Sequence, residues 1–180
     1  MKSVCVFCGS SDGNNPLYKT KAIELGKLFA ENNLRLVYGG GGFGLMGAIA
    51  NAVLENGGEV IGVIPDRLVQ RERAHNGLTE LLIVNTMNER KEKMAELSDV
   101  FVTMPGGYGT LDELFEMLTW KQLGIQNKYN IIYNVNSFFN PLLDQLKTAA
   151  GNGFLKEKVL GELVVLNTAE ELIQQIKSQS

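Results

Sequence analysis

Met104-Pro105-Gly106-Gly107-Tyr108-Gly109-Thr110-Leu111-Asp112-Glu113 joins an apolar run, Val100 to Met104, to an amphipathic helical pattern from Leu111 to Leu123. Strand, glycine turn and helix in succession leave main-chain N–H groups at a helix start, where the macrodipole is positive, so an anion such as phosphate is held without a lysine. Gly106, Gly107 and Gly109 suit that use, since a residue without Cβ lets the backbone approach a ligand closely. A plainer reading competes with it. Thr110 and Glu113 also have the spacing of a capping box, with Thr110 as N-cap and Glu113 reaching back to the cap's N–H. Capping accounts for neither three glycines nor Tyr108, which favours an anion-binding loop.

Strands and helices alternate on either side of this stretch. Val4 to Phe7 is an apolar run ending at Cys8-Gly9-Ser10-Ser11, and a helical pattern from Pro16 to about Asn32 follows. Leu34 to Tyr38, Val60 to Ile64, Leu81 to Val84, Ile131 to Val135 and Leu163 to Leu166 read as further strands. Helical patterns cover Ala48 to Leu54, Met87 to Leu97, Phe138 to Ala150, and a last segment capped by Thr168. The alternation predicts an α/β fold: a single doubly wound, Rossmann-like domain over residues 1–180, with a mostly parallel central sheet and helices on both faces. Its carboxyl edge would gather Gly9 and Ser10, the run Gly39 to Gly44, and Pro105 to Thr110 into one crevice.

The second glycine loop offers a rival. Gly42-x-Gly44-x-x-Gly47 matches a dinucleotide fingerprint, with Asp66 after the next strand available to ribose hydroxyls. The loop follows the second strand rather than the first and Asp66 lies behind a proline, so a nicotinamide or flavin cofactor is the weaker option. Gly41 and Gly42 are better read as backbone lining a nucleotide site, or as tight turns alone. From Asp66 to Glu80 the periodicity is lost, as expected of a solvated loop or a lid.

The chain has 180 residues, a formal charge of −3 and 20 glycines. Its basic residues are scattered, which argues against nucleic acid or a membrane surface as partner and for a small molecule. No apolar run approaches ~20 residues and no leader pattern opens the chain, so a soluble, cytoplasmic protein is expected. Cys5 and Cys8 form C-x-x-C inside a strand, without the second pair that zinc needs, and read as buried thiols. His75, the only histidine, has no companion ligands and reads as packing or surface; no metal or cofactor is called for.

Met87, Arg90, Met94 and Leu97 share a helical stripe, which turns Arg90 toward the apolar side, where a guanidinium needs a carboxylate or phosphate partner. A structural salt bridge is the alternative. Lys91 lies near the same edge. Farther on, Glu113, Glu116 and Trp120 fall on one side of their helix, and the indole there is either solvated or a platform for a base.

Met87-Asn88-Glu89-Arg90-Lys91 followed by Pro105-Gly106-Gly107-Tyr108-Gly109-Thr110-Leu111-Asp112-Glu113 closely resembles the paired signature of the Lonely guy family. The similarity runs from Val4 through the loop Tyr38 to Gly47 and on to Thr119-Trp120-Lys121-Gln122-Leu123-Gly124. Family members are phosphoribohydrolases that release cytokinin from its riboside 5′-monophosphate, and many bacterial ones accept AMP. They were long labelled lysine decarboxylases, although no lysine here stands in a recognisable pyridoxal phosphate setting. The resemblance implies that Arg90 and Glu113 are catalytic. It implies that Glu72, Arg90, Lys91, the stretch Gly107, Tyr108, Gly109, Thr110, Leu111, Asp112 and Glu113, and Thr119 contact the nucleotide, and that the protein is a homodimer. Asp112 stands where plant members often have Glu. With Gly9, Ser10, Gly41, Gly42 and Gly106 added from the loop argument, the expected activity is hydrolysis of a nucleoside 5′-monophosphate. The alternatives are a nucleotide sensor without chemistry and an NAD(P)-dependent oxidoreductase.

Overall fold

The computed structural model describes residues 1–70 and 73–178. Seven strands form one sheet: β1 (Lys2–Phe7), β2 (Leu34–Tyr38), β3 (Val60–Pro65), β4 (Glu80–Val84), β5 (Val100–Thr103), β6 (Tyr129–Tyr133) and β7 (Val164–Leu166), in spatial order β4-β3-β2-β1-β5-β6-β7. All six pairings are parallel, so the expectation of a mostly parallel sheet is met in full.

The helices are α1 (Pro16–Glu31), α2 (Gly44–Glu55), α3 (Met87–Glu96), α4 (Tyr108–Gln122), α5 (Asn140–Gly151), α6 (Glu157–Leu160) and α7 (Ala169–Ser178). Parallel strands buried on both faces need apolar residues at every position rather than at alternate ones. β1 shows this. Val4, Val6 and Cys8 enter the core that α1, α2 and α7 cover, while Cys5 and Phe7 enter the opposite one with Met94, Phe101 and Met117. Cys5 and Cys8 therefore point to opposite faces as two buried free thiols, since residues three apart on an extended chain cannot face each other.

Sequence order reverses between β1 and β5. Crevices in open α/β sheets form outside the carboxyl ends of strands at such a switch point. The Cys8–Ser10 turn and the loop from Met104 to Gly107 meet there, joined by a Gly9 N–H to Pro105 carbonyl hydrogen bond of 3.0 Å. Among the described residues, no helix is long and apolar enough to cross a membrane and no cluster of three metal-ligating side chains occurs.

Candidate functional site

The central loop starts its helix earlier than the sequence pattern indicates. α4 begins at Tyr108 with Gly107 as N-cap and no side-chain cap, so Thr110 lies within the first turn and the expected Thr110–Glu113 capping box is not the helix start. The competition for Glu113 is thereby removed. Thr168 does cap α7, its hydroxyl accepting from Glu171 N–H while Glu171 accepts from Thr168 N–H.

Leu111 N–H to Gly107 C=O opens the helical ladder of α4, so the amides of Tyr108, Gly109 and Thr110 precede it at the positive end of the dipole. A Cβ built on Gly107 or Gly109 would meet nothing within 4 Å. The fold does not need glycine at either position. What glycine preserves there is open space over the amides, the requirement of a ligand that sits close to the backbone.

A cleft of about 250 Å³ opens at this point, lined by Cys8, Gly9, Ser10, Met46, Leu68, Met87, Arg90, Gly107 to Thr110, Asp112 and Glu113. Arg90 and Glu113, from α3 and α4, thus face one cavity. Arg90 is 5% exposed. Its Nε donates to the Val63 carbonyl at 3.1 Å and its Nη2 to the Gly39 carbonyl at 2.8 Å. The sequence argument asked for an anionic partner; two strand-end carbonyls take part of that role, because the carboxyl edge of a parallel sheet presents acceptors toward α3. The charges of Arg90 and Glu113 are felt at Cys5, and that of Glu113 at Cys8. Burial and then Glu113 push the Cys8 thiol well above its ordinary range, and the same two causes raise Cys5, which Ser98 and Arg90 oppose. Cys8 is thus held as a thiol, and is not an available nucleophile.

Gly9, Ser10 and Gly107 also border a second cleft of about 310 Å³, lined by Asp12, Tyr18, Leu45, Pro105, Gly106 and Phe138 among others. Other expected residues lie elsewhere. Lys91 lines neither cleft; its Nζ sits 3.2 Å from Asp112 and 2.5 Å from Glu116. Leu111 packs with Leu114, Ile132 and Phe139. Thr119 lies in a separate groove between α4 and α6 with Phe115, Leu118 and Leu163. Trp120 packs on the core and is no platform in the cleft, since it shares the face of Glu113 but lies two turns, about 10 Å, farther along α4. Glu72 falls outside the described residues.

The second glycine loop answers to packing. Gly44 has a φ of +62° and lies against the main chain of Ser10 and Ser11, and Gly47 lies against the Gly42 carbonyl, so the apparent dinucleotide pattern is a fit of protein to protein. Gly41 and Gly42 line neither cleft, because Arg73 to His75 docks on them: Gly41 bridges Ala74, Gly42 N–H donates to Arg73 O, and His75 N–H donates to Gly40 O. His75 is structural, as expected. Its Nε2 lies 2.8 Å from Asn51 Oδ1 and its Nδ1 accepts from Gly77 N–H. Asp66 is exposed and lines neither cleft.

The sequence reading missed Met46, Leu68 and Met87 as an apolar wall of the cleft. Met87 was legible as the Arg90 neighbour one helical turn earlier; Met46 and Leu68 carried no such signal.

A family model described as "Possible lysine decarboxylase" matches residues 46–176. The chain is 46% identical to a cytokinin riboside 5′-monophosphate phosphoribohydrolase of Rhodococcoides fascians over 98% of this chain and 90% of that one. The Arabidopsis thaliana enzyme of that name, LOG1, is also 46% identical, over 98% and 83%. The chain belongs to the Lonely guy family. A probable family enzyme of Oryza sativa subsp. japonica is 45% identical over 99% of this chain and 73% of its own length. The fold of the family chain is shared more widely, for the molybdenum cofactor binding protein of Rippkaea orientalis superposes with a TM-score of 0.74 at 22% identity, covering 99% and 97% of the two chains.

Proposed function

We propose that the chain hydrolyses the N-glycosidic bond of purine riboside 5′-monophosphates, cytokinin nucleotides or AMP, giving free base and ribose 5-phosphate. The observation that carries this reading is the placement of Arg90 and Glu113 in one cleft beside the leading amides of α4. Relatives 46% identical over nearly the whole chain bear the name of that activity.

Breaking the bond from ribose C1′ to a purine nitrogen develops positive charge on the sugar and negative charge on the base. An anion on one side and a donor on the other lower that barrier. Glu113 stabilises the oxocarbenium-like sugar and activates the attacking water, in the manner of a glycosidase carboxylate. Arg90, anchored by two carbonyls, hydrogen-bonds the departing base; as an arginine it keeps its proton, and water protonates the base. The amides of Tyr108, Gly109 and Thr110 seat the 5′-phosphate, with Gly9, Ser10 and Gly106 around it. Met46, Leu68 and Met87 face the base, and thioethers suit an apolar ligand of irregular outline.

The partner is a small nucleotide and not a nucleic acid. Phe115, Leu123 and Ile125 lie exposed along α4 and the turn after it, a surface that pairs two copies into a homodimer. Thr119 faces away from its own cleft, so nucleotide contact by Thr119 belongs to such a pair. Light scattering on the eluted protein should give twice 19.8 kDa. Incubation of the purified protein with AMP and with isopentenyladenosine monophosphate, followed by chromatography, should release free base and ribose 5-phosphate. Recovery of both nucleotides intact would overturn the assignment.

A further inference from the structure

α3 packs on β3 and β4 and α4 on β1, β5 and β6, and the two helices have few close main-chain contacts with each other. The sheet therefore leaves the gap between Arg90 and Glu113 to be set by side chains. A side chain of α3 reaches across it. Lys91, next to Arg90 on α3, places Nζ 3.2 Å from Asp112 Oδ2 and 2.5 Å from Glu116 Oε2, and these carboxylates lie one residue before and three after Glu113.

We infer that Lys91 is a positioning residue, an ionic tie between α3 and α4 that holds Arg90 and Glu113 at their working separation, and not a ligand of the nucleotide phosphate. The inference rests on the function proposed above.

Consecutive residues on a helix point about 100° apart, so with Arg90 turned to the strand-end carbonyls Lys91 is aimed sideways at α4. Its side chain is 11% exposed and absent from both cleft linings. Burial opposes its charge, yet the Glu116 and Asp112 carboxylates beside it outweigh that and hold its pKa above the ordinary lysine value. Glu116 Oε2 is sealed from water and has no hydrogen-bond partner of good geometry among the described residues, so the Lys91 ammonium is what compensates its charge. A phosphate dianion seeking Lys91 would meet two carboxylates already there, and repulsion between like charges at such range is strong where water is scarce. Each amide of the first turn of α4 offers phosphate an uncontested donor by comparison.

Lys91→Met removes the charge and keeps the length; Glu116→Gln removes one anchor and leaves the lysine. Steady-state kinetics with AMP should show kcat falling ~10-fold or more in each, with KM and inhibition by ribose 5-phosphate within ~2-fold of wild type, since small misplacements of reacting groups act on turnover. The double variant should lose no more than the worse single, as expected of partners in one contact. Lys91→Arg, which keeps charge and reach, should recover most of kcat and guards against a merely misfolded Lys91→Met. A Lys91→Met protein with raised KM and weakened ribose 5-phosphate inhibition, beside a Glu116→Gln protein of normal kcat, would overturn the inference. Should wild type fail to cleave AMP, the functional reading falls and calorimetry still decides the role of Lys91: equal affinity of ribose 5-phosphate for wild type and Lys91→Met supports the tie, weaker binding to the variant refutes it.

Discussion

The Arg90 guanidinium fills the volume that a side chain at Gly39 would occupy, with Nη2 donating to the Gly39 carbonyl at 2.8 Å. The first residue after β2 is therefore glycine because an arginine from α3, fifty-one positions later, must reach the sheet edge. Gly39→Ala should push the guanidinium out of the cleft. Turnover of AMP is expected to fall ~100-fold with a lower melting temperature, as for a displaced buried charge that loses its acceptors.

Arg90→Lys tests the same anchor from the other side. Lysine keeps the charge but lacks the planar fork that serves Val63 O, Gly39 O and the cleft together. Activity should drop ~100-fold or more while the chain still folds, by the cost usual for a lost oriented donor. Turnover near wild type would remove Arg90 from the mechanism.

Glu113 does not cap the start of α4, which begins at Tyr108 with Gly107 as its N-cap. Glu113→Gln preserves shape and should leave the melting temperature unchanged while kcat falls ~100-fold or more, the scale of a lost general base. A variant that melts lower in proportion to its lost activity would point to a structural carboxylate instead.

Gly109 lines the cleft in the first turn of α4. A Cβ there touches nothing. Gly109→Ala should therefore raise the melting temperature slightly, alanine being ~1 kcal/mol better in a helix, yet raise KM for AMP and weaken inhibition by ribose 5-phosphate. Unchanged KM would place the phosphate away from these amides.

His75 fastens Arg73 to Gly77 onto α2 through Asn51, with Nδ1 unprotonated because it accepts from Gly77 N–H. Burial lowers its pKa below the ordinary histidine value. The unfolded chain then binds the proton more readily than the folded one, so this contribution to stability is complete above pH ~6.5 and shrinks as pH falls below it. The melting-temperature gap between wild type and His75→Gln should be constant from pH 7 to 8 and narrow toward pH 5. A gap independent of pH would show that the ring titrates alike in the folded and unfolded chains.

The order of strands and helices and the glycine turn that opens α4 were present in the residues, and the family resemblance named Arg90 and Glu113 as candidates, which the structure brings to one cleft. Apolar runs bounded by glycines need no tertiary information, and a charged side chain on an apolar helical stripe announces that something must receive it. Tertiary structure decided the rest. Whether Glu113 capped its own helix depended on the helix beginning two residues before Thr110, which follows from how the loop seats against Gly9 across the β1–β5 switch. The seven-strand order, the docking of Arg73 to His75 over Gly41 and Gly42, and the tie from Lys91 to Asp112 and Glu116 join residues far apart in the chain. Local periodicity records which face of an element is buried, and it holds no record of what arrives to bury it.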